Sequence, residues 1–117
     1  MQRKSIEKTL GVANVKIRTL GTVVSLEIRI PSSNLENDLP MANEYYALPV
    51  FPELAEIMSK RNSSLIVYVP YSTSIIGQIN ILNSGVIQLG FLRNLTTGAA
   101  TDWPKTSSLY LEYCFAC

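Results

Sequence analysis

The feature of this sequence that most constrains its fold is a pair of alternating segments separated by a glycine. In residues 15–19 (VKIRT) and again in 22–30 (TVVSLEIRI), apolar side chains recur at every second position, which places them on one face of an extended strand. The apolar face of the second segment consists of Val24, Leu26, Ile28 and Ile30. Gly21, between the two segments, tolerates the positive φ that tight turns require. The pattern therefore predicts an antiparallel hairpin with one buried face.

Shorter apolar segments with turn residues between them predict the remaining strands. They are a short strand at 45–48, a strand at 65–69, a hairpin formed by 75–82 and 86–92 around Asn83-Ser84-Gly85, and a last strand at 108–115. Residues 65–69 (LIVYV) are apolar at every position, which predicts a strand covered on both faces, in the core of a sandwich or at a subunit interface. For residues 52–61, a helix that begins at Pro52 and a strand are favoured equally.

Six to eight short strands with frequent turns predict an all-β fold. We expect an antiparallel β-sandwich or jelly-roll-like domain with at most one short helix near residues 52–61. The 117 residues suit a single domain, which we expect to occupy residues 12–117. Residues 1–11 are charged and end in Gly11, so we expect them to be an N-terminal leader or a connection to something upstream.

The chain carries few charges. Asp, Glu, Lys and Arg make up 16% of its residues and the net charge is +1, whereas typical domains contain about 25% charged residues. The lack of a basic stripe argues against nucleic acid as a partner, and no apolar run approaches the roughly 20 residues of a membrane span. The charged start lacks the apolar stretch of a signal peptide, so we expect synthesis in the cytoplasm. So little charge indicates either neutral polar loops or a surface covered by another chain.

Catalytic and metal-binding residues are scarce. The chain has no histidine, which is the usual general base and the commonest metal ligand. Cys114 and Cys117 have the C-x-x-C spacing, but a redox motif needs a helix start after a strand, and a zinc site needs further ligands. We therefore expect no enzyme activity, no cofactor and no metal. A carboxylate pair for glycoside hydrolysis stays open, because a sequence does not give the separation of carboxylates in space.

Four segments, taken in order, are similar to those of a known family. They are VKIRTLGTVVSLEIRI at 15–30, ALPVFP at 47–52, INILNSGVIQLGF at 79–91 and SSLYLEYCF at 107–115. A hairpin, a Leu-Pro segment, a second hairpin and an aromatic final strand resemble the C-terminal head domain of bacteriophage receptor-binding proteins. These heads form the tips of tail fibres and baseplates in phages that infect Gram-positive bacteria. The segment 53–60 is longer here than in such heads.

The resemblance implies a β-sandwich head that assembles as a homotrimer and binds a host cell-wall saccharide without cleaving it. It also implies contacts with other tail or baseplate proteins, a place at the tail tip of the virion, and a role for residues 1–11 as the stub of a neck. The alternative function is that of a structural virion protein, part of a baseplate or fibre, which docks other virion proteins without binding a glycan.

We expect the saccharide site around the single tryptophan. A sugar site commonly pairs a flat aromatic side chain with carboxylates and amides that bind hydroxyl groups. The residues that fit are Trp103, Asp102, Arg93, Asn94, Glu44 and Tyr45. The alternative for Trp103 is a loop aromatic that folds back as a lid on the core, and for Tyr45 it is packing within a strand. An exposed Trp103 loop would favour saccharide binding, and a loop buried against a neighbouring subunit would favour structural docking.

Overall fold

Two antiparallel four-stranded sheets form the protein, as seen in a computed structural model that describes residues 3–35, 42–61 and 63–117. In chain order the strands are β1 (Arg3–Leu10), β2 (Ala13–Leu20), β3 (Val23–Ile30), β4 (Tyr45–Ala47), β5 (Leu65–Pro70), β6 (Ile75–Ile81), β7 (Ile87–Asn94) and β8 (Leu109–Ala116). Sheet 1 has the order β1-β2-β3-β8, and sheet 2 has the order β4-β7-β6-β5. A 3₁₀ turn, Ser32–Asn34, and one helix, α1 (Pro52–Met58), lie in the connections. The predicted all-β sandwich with one short helix is confirmed.

The alternating segments form the expected hairpin of β2 and β3. Val15 pairs with Ile28 and Ile17 pairs with Leu26, and all four side chains are almost fully buried. Gly21 has the positive φ, 62°, that the two-residue turn requires. The second expected hairpin, β6 with β7, is present as well.

Residues 3–10 differ from the expected leader. They form β1, which pairs with β2 from Arg3↔Leu20 to Leu10↔Ala13. The strand is hard to recognise in the sequence because charged residues alternate with apolar ones on its inner face, where Lys8 lies beside α1 and pairs with Glu53 at 2.6 Å. The folded sheet therefore begins at Arg3 and not at residue 12.

Residues 65–69 are not covered on both faces within the chain, so a place in the sandwich core is wrong for them and a subunit interface stays a prediction. β5 is an edge strand of sheet 2, and only one of its faces packs inward. Val69 is buried, whereas Ile66 and Tyr68 are 58% and 59% exposed. Apolar composition indicates that a strand can be buried on both faces, but it does not show which strand lies at the edge of a sheet.

Residues 52–61 adopt the helical alternative. Pro52 is the first residue of α1, where its missing N–H and fixed φ are favourable, and Leu54 and Met58 point into the core. The Asn83 side chain donates hydrogen bonds to the carbonyls of Met58 and Arg61 and so adds to the bonds that satisfy the backbone at the helix end.

The core is one cluster to which both sheets and α1 contribute. Its largest fully buried side chains include Ile17, Leu26, Ile28, Phe51, Leu54, Ile79, Ile81 and Leu89. Sheet 1 is a meander completed by the last strand, and sheet 2 is a Greek key in which β4 lies beside β7. Within the described ranges, no helix is long and apolar enough to cross a membrane.

Candidate functional site

The outer face of sheet 2 carries two rows of side chains that cross all four strands. The strand register places Tyr45, Gly90, Gln78 and Tyr68 in the first row and Ala47, Gln88, Asn80 and Ile66 in the second. We call these eight residues the amide face. None of the eight is charged, although they lie on the surface side of a sheet whose other side forms the core.

Three amide side chains of this face are joined in a ladder across β6 and β7. Gln78 Nε2 donates to Asn80 Oδ1 at 3.0 Å, and Asn80 Nδ2 donates to Gln88 Oε1 at 3.0 Å. Asn80 in the middle is only 4% exposed. No hydrogen bond within the described residues uses Gln78 Oε1 or Gln88 Nε2, so the ladder presents one acceptor and one donor at its two ends.

An aromatic pair borders the amide face at the β4–β7 edge. The rings of Tyr45 and Phe91 lie 4.4 Å apart at an angle of 45°. Phe91 has a φ of 51°, and it is the one residue other than glycine with a positive φ in the described chain. Aromatic residues rarely adopt this conformation, and strained residues of this kind cluster at functional sites.

A β-bulge produces this conformation. Between the pairs Ile76↔Arg93 and Gln78↔Gly90, β7 has one residue more than β6. The backbone of Gly90, at φ 157°, approaches the Glu44 carbonyl so closely that any Cβ at this position would collide with it. The extra residue brings Phe91 to the outer side of the sheet, beside Tyr45.

The hydroxyl of Tyr71 fills the gap that the bulge leaves in the β6–β7 ladder. It donates to the Gln78 carbonyl at 3.0 Å and accepts from the Gly90 N–H at 3.3 Å. Burial strongly raises the pKa of Tyr71, so the hydroxyl stays protonated and able to donate. Its ring lies against Gly77, where any Cβ would collide with it. The bulge is therefore supported from inside the sandwich.

Trp103 adopts the second of its two expected roles, a lid on the core. It is 6% exposed, and its indole N–H donates to the Ser107 carbonyl at 2.8 Å. Its ring lies 6.3 Å from that of Tyr71, so it supports the bulge from the interior instead of offering a ring face to a ligand. Asp102 is exposed, and none of the described contacts connects it to the amide face.

The other expected site residues divide into two groups. Glu44 and Arg93 lie with Tyr45 at the aromatic edge, because the Glu44 carbonyl accepts the Phe91 N–H at 3.4 Å and the Arg93 guanidinium lies 5.9 Å from the Phe91 ring. That guanidinium also donates to the carbonyls of Ala42 and Leu92. Asn94 is apart from them: its side chain accepts two backbone N–H groups and shapes the following turn.

Sequence reasoning did not identify the amide side chains or Phe91. The one local signal was Gly90 within a strand, since such a glycine often marks a bulge or a close backbone approach. The grouping of Gln78, Gln88 and Tyr68 depends on the pairing of three strands, which no local pattern reveals.

A concavity lies between α1 and the inner side of sheet 1. It has a volume of about 350 Å³. Its floor is formed by Ile6, Ile17, Val24 and Ile57, and its rim by Lys4, Lys60, Glu53 and Glu56. The rim mixes both signs of charge, and Glu53 is already paired with Lys8. The concavity therefore shows no preference for one class of ligand.

Metal and thiol chemistry find no support in the described part of the chain. It contains no group of three or more Cys, Asp and Glu side chains that could hold a metal ion. Both cysteines are free thiols, and Cys117 Sγ donates to the Ile57 carbonyl.

No family model matches the chain, and neither a curated protein nor a solved structure matches it.

Proposed function

We propose that this protein is the head domain of a phage receptor-binding protein that adsorbs to a host cell-wall saccharide through the amide face, without cleaving it. The observation that carries the proposal is an uncharged sheet face on which an amide ladder lies between exposed aromatic side chains. The phage context rests on the similarity of the four sequence segments to such heads.

The amide face fits a saccharide for three physical reasons. The rings of Tyr45 and Tyr68 offer apolar surfaces to the C–H faces of sugar rings. The free ends of the ladder, Gln78 Oε1 and Gln88 Nε2, can accept from and donate to hydroxyl groups. The ladder is already hydrogen-bonded, so few side-chain rotamers are lost on binding.

We further propose that the head is a homotrimer, as in the receptor-binding proteins that it resembles. A threefold arrangement presents three copies of the amide face to one polysaccharide, and multivalent binding makes weak single sites effective. Light scattering is expected to give three times the chain mass of 13.0 kDa. A mass equal to that of one chain would contradict the trimer.

The direct test of binding uses purified cell-wall polysaccharides from candidate Gram-positive hosts on a biosensor surface. Wild type is expected to bind at least one of them without releasing reducing ends, and Tyr45→Ala to weaken that binding about tenfold or more. Tyr45 is 39% exposed, so its truncation should leave the fold intact. Tyr110→Ala is the matched control, because Tyr110 is an equally exposed tyrosine on the other sheet. Equal losses in both variants, or no binding to any host polysaccharide, would contradict the proposal.

A second candidate function is docking of another virion protein without glycan binding. The exposure of Ile66 on the uncovered edge strand β5 favours it, because uncharged apolar edges readily pair with other chains. Under this alternative, Ile66→Lys would abolish binding to purified tails or baseplates, and neither wild type nor variant would bind polysaccharide. Polysaccharide binding by both proteins would refute it.

A further inference from the structure

We propose that the amide face takes a neutral, linear oligosaccharide about three sugar units long, which lies across the strands and contacts aromatic side chains at both of its ends. This inference rests on the proposed function, and it specifies the length, the direction and the charge of the ligand.

The length follows from the strand register. Tyr45 on β4 and Tyr68 on β5 are the two ends of one row that crosses β7 and β6. Neighbouring strands are about 4.8 Å apart, so three spacings separate the two tyrosines by about 14 Å, a length that about three linked sugar rings span. A single sugar would reach only one of the two aromatic ends.

The direction of the ligand follows from the kinds of side chain along this row. Gly90 has no side chain, and Gln78 is hydrogen-bonded in the amide ladder. Tyr45, backed by Phe91, stands at one end, and Tyr68, which is 59% exposed, stands at the other. The row therefore has a polar centre and an aromatic side chain at each end. An oligosaccharide that lay parallel to the strands would not contact both Tyr45 and Tyr68.

We expect a neutral ligand because the amide face has no charged side chain. None of its eight residues carries a charge that could replace the water around a phosphate or a carboxylate group. Arg93, which lies beside the face at Phe91, already donates to two carbonyls and stands over the Phe91 ring. The exposed Glu44 stands beside Tyr45 and would repel an anionic sugar at that end.

The test measures affinity as a function of oligosaccharide length. The probes are size-fractionated fragments of a host cell-wall polysaccharide, from one to five sugar units, titrated into the full chain by calorimetry. The dissociation constant is expected to fall about tenfold or more from one unit to three, and to change little beyond that. A dissociation constant that does not depend on length would overturn the inference.

Two variants separate this inference from the proposed function. Tyr68→Ala is expected to remove the advantage of three units over one while the affinity for a single unit stays as in wild type. Tyr45→Ala is expected to weaken binding at every length, and Tyr110→Ala to change nothing. If Tyr68→Ala binds three units as wild type does while Tyr45→Ala binds weakly, the inference fails and the proposed function stands. If no fragment and no intact polysaccharide binds, both fail.

The charge of the ligand is tested with paired fragments of equal length, one neutral and one phosphorylated. The neutral fragment is expected to bind more tightly. Tighter binding of the phosphorylated fragment, with a dissociation constant that rises steeply with salt, would overturn the assignment of a neutral ligand.

Discussion

The outer faces of the two sheets have the same antiparallel architecture and opposite chemistry. Across sheet 1, one row places Glu7, Lys16, Glu27 and Glu112 side by side, with Arg18 and Arg29 in the adjacent rows. Across sheet 2, the two central rows contain amides, aromatic rings and no charge. Both faces lie on the outside of one core, so the difference does not arise from the fold.

The comparison indicates which face can be desolvated by a ligand at the lower cost in free energy. On sheet 1, Arg18 and Glu27 lie 3.3 Å apart with the Arg18 side chain about half exposed, and Arg29 lies over the Tyr110 ring. Such charges are strongly hydrated, and removing their water is costly. On sheet 2, the ladder leaves only Gln78 Oε1 and Gln88 Nε2 without a partner among the described residues, so a ligand would displace water from few polar groups and from aromatic rings. This contrast is the physical basis for assigning binding to sheet 2.

Among the variants that test this contrast, Gly90→Ala is expected to change stability most, because a Cβ at this position has no space beside the Glu44 carbonyl. Either the bulge or the β4–β7 pairing would be disrupted. We expect a loss of about 3 kcal/mol or more in the free energy of unfolding. Gly98→Ala is the matched control: Gly98 also has a positive φ but nothing within 4 Å, so only the backbone penalty of about 1–2 kcal/mol applies. Denaturant titration measures both variants. Equal losses would show that the close approach at the bulge has no structural importance.

A smaller effect is expected from Tyr71→Phe, which removes the hydroxyl that bridges the bulge. The Gly90 N–H and the Gln78 carbonyl then lose a partner in a buried place, at a cost of about 1–3 kcal/mol. Thermal unfolding at neutral pH measures this loss. A variant as stable as wild type would show that the bulge does not depend on Tyr71.

Tyr71 also predicts a dependence of stability on pH. Burial raises its pKa in the folded protein above the ordinary value of 10.0, so near this value the hydroxyl ionises only in the unfolded chain. Its contribution to stability is complete below pH 10.0 and decreases as the pH rises above it. Wild type should therefore lose stability more steeply than Tyr71→Phe in denaturant titrations at alkaline pH. Parallel profiles for the two proteins would contradict the buried environment of the hydroxyl.

The smallest effect is expected from Arg18→Gln on sheet 1. The ion pair with Glu27 is partly exposed, and such pairs contribute about 0–1 kcal/mol. Saccharide affinity should stay as in wild type, because sheet 1 has no part in the proposed site. A loss of affinity in the biosensor assay would mean that the charged face takes part in binding.

The sequence predicts the fold well where one face of a strand is uniformly apolar. Both hairpins are of this kind, because their alternating side chains can be buried in only one register. β1 was missed because Lys4 and Lys8 occupy inner positions at the border with α1, where a long side chain can reach solvent or a carboxylate. The exposure of Ile66 and Tyr68 was missed because edge position is a property of the whole sheet.

The candidate site was predictable only in part. Glu44, Tyr45 and Arg93 were expected from their chemistry, and they do lie together at the aromatic edge. Trp103 was expected at its centre, but loop aromatics can fold inward, and this one covers Tyr71. The amide ladder joins residues from two strands next to the bulge, and the pairing of these strands is not revealed by any local pattern.

The most direct test of the central claim is a ¹H–¹⁵N NMR titration of the protein with a size-fractionated three-unit fragment of host cell-wall polysaccharide. We expect the side-chain amide signals of Gln78 and Gln88 to shift together with the backbone signals around Tyr45 and Phe91, while the signals of β1, β2, β3 and β8 stay in place. Shifts confined to sheet 1, or no shifts with any host polysaccharide, would contradict the assignment of saccharide binding to the amide face.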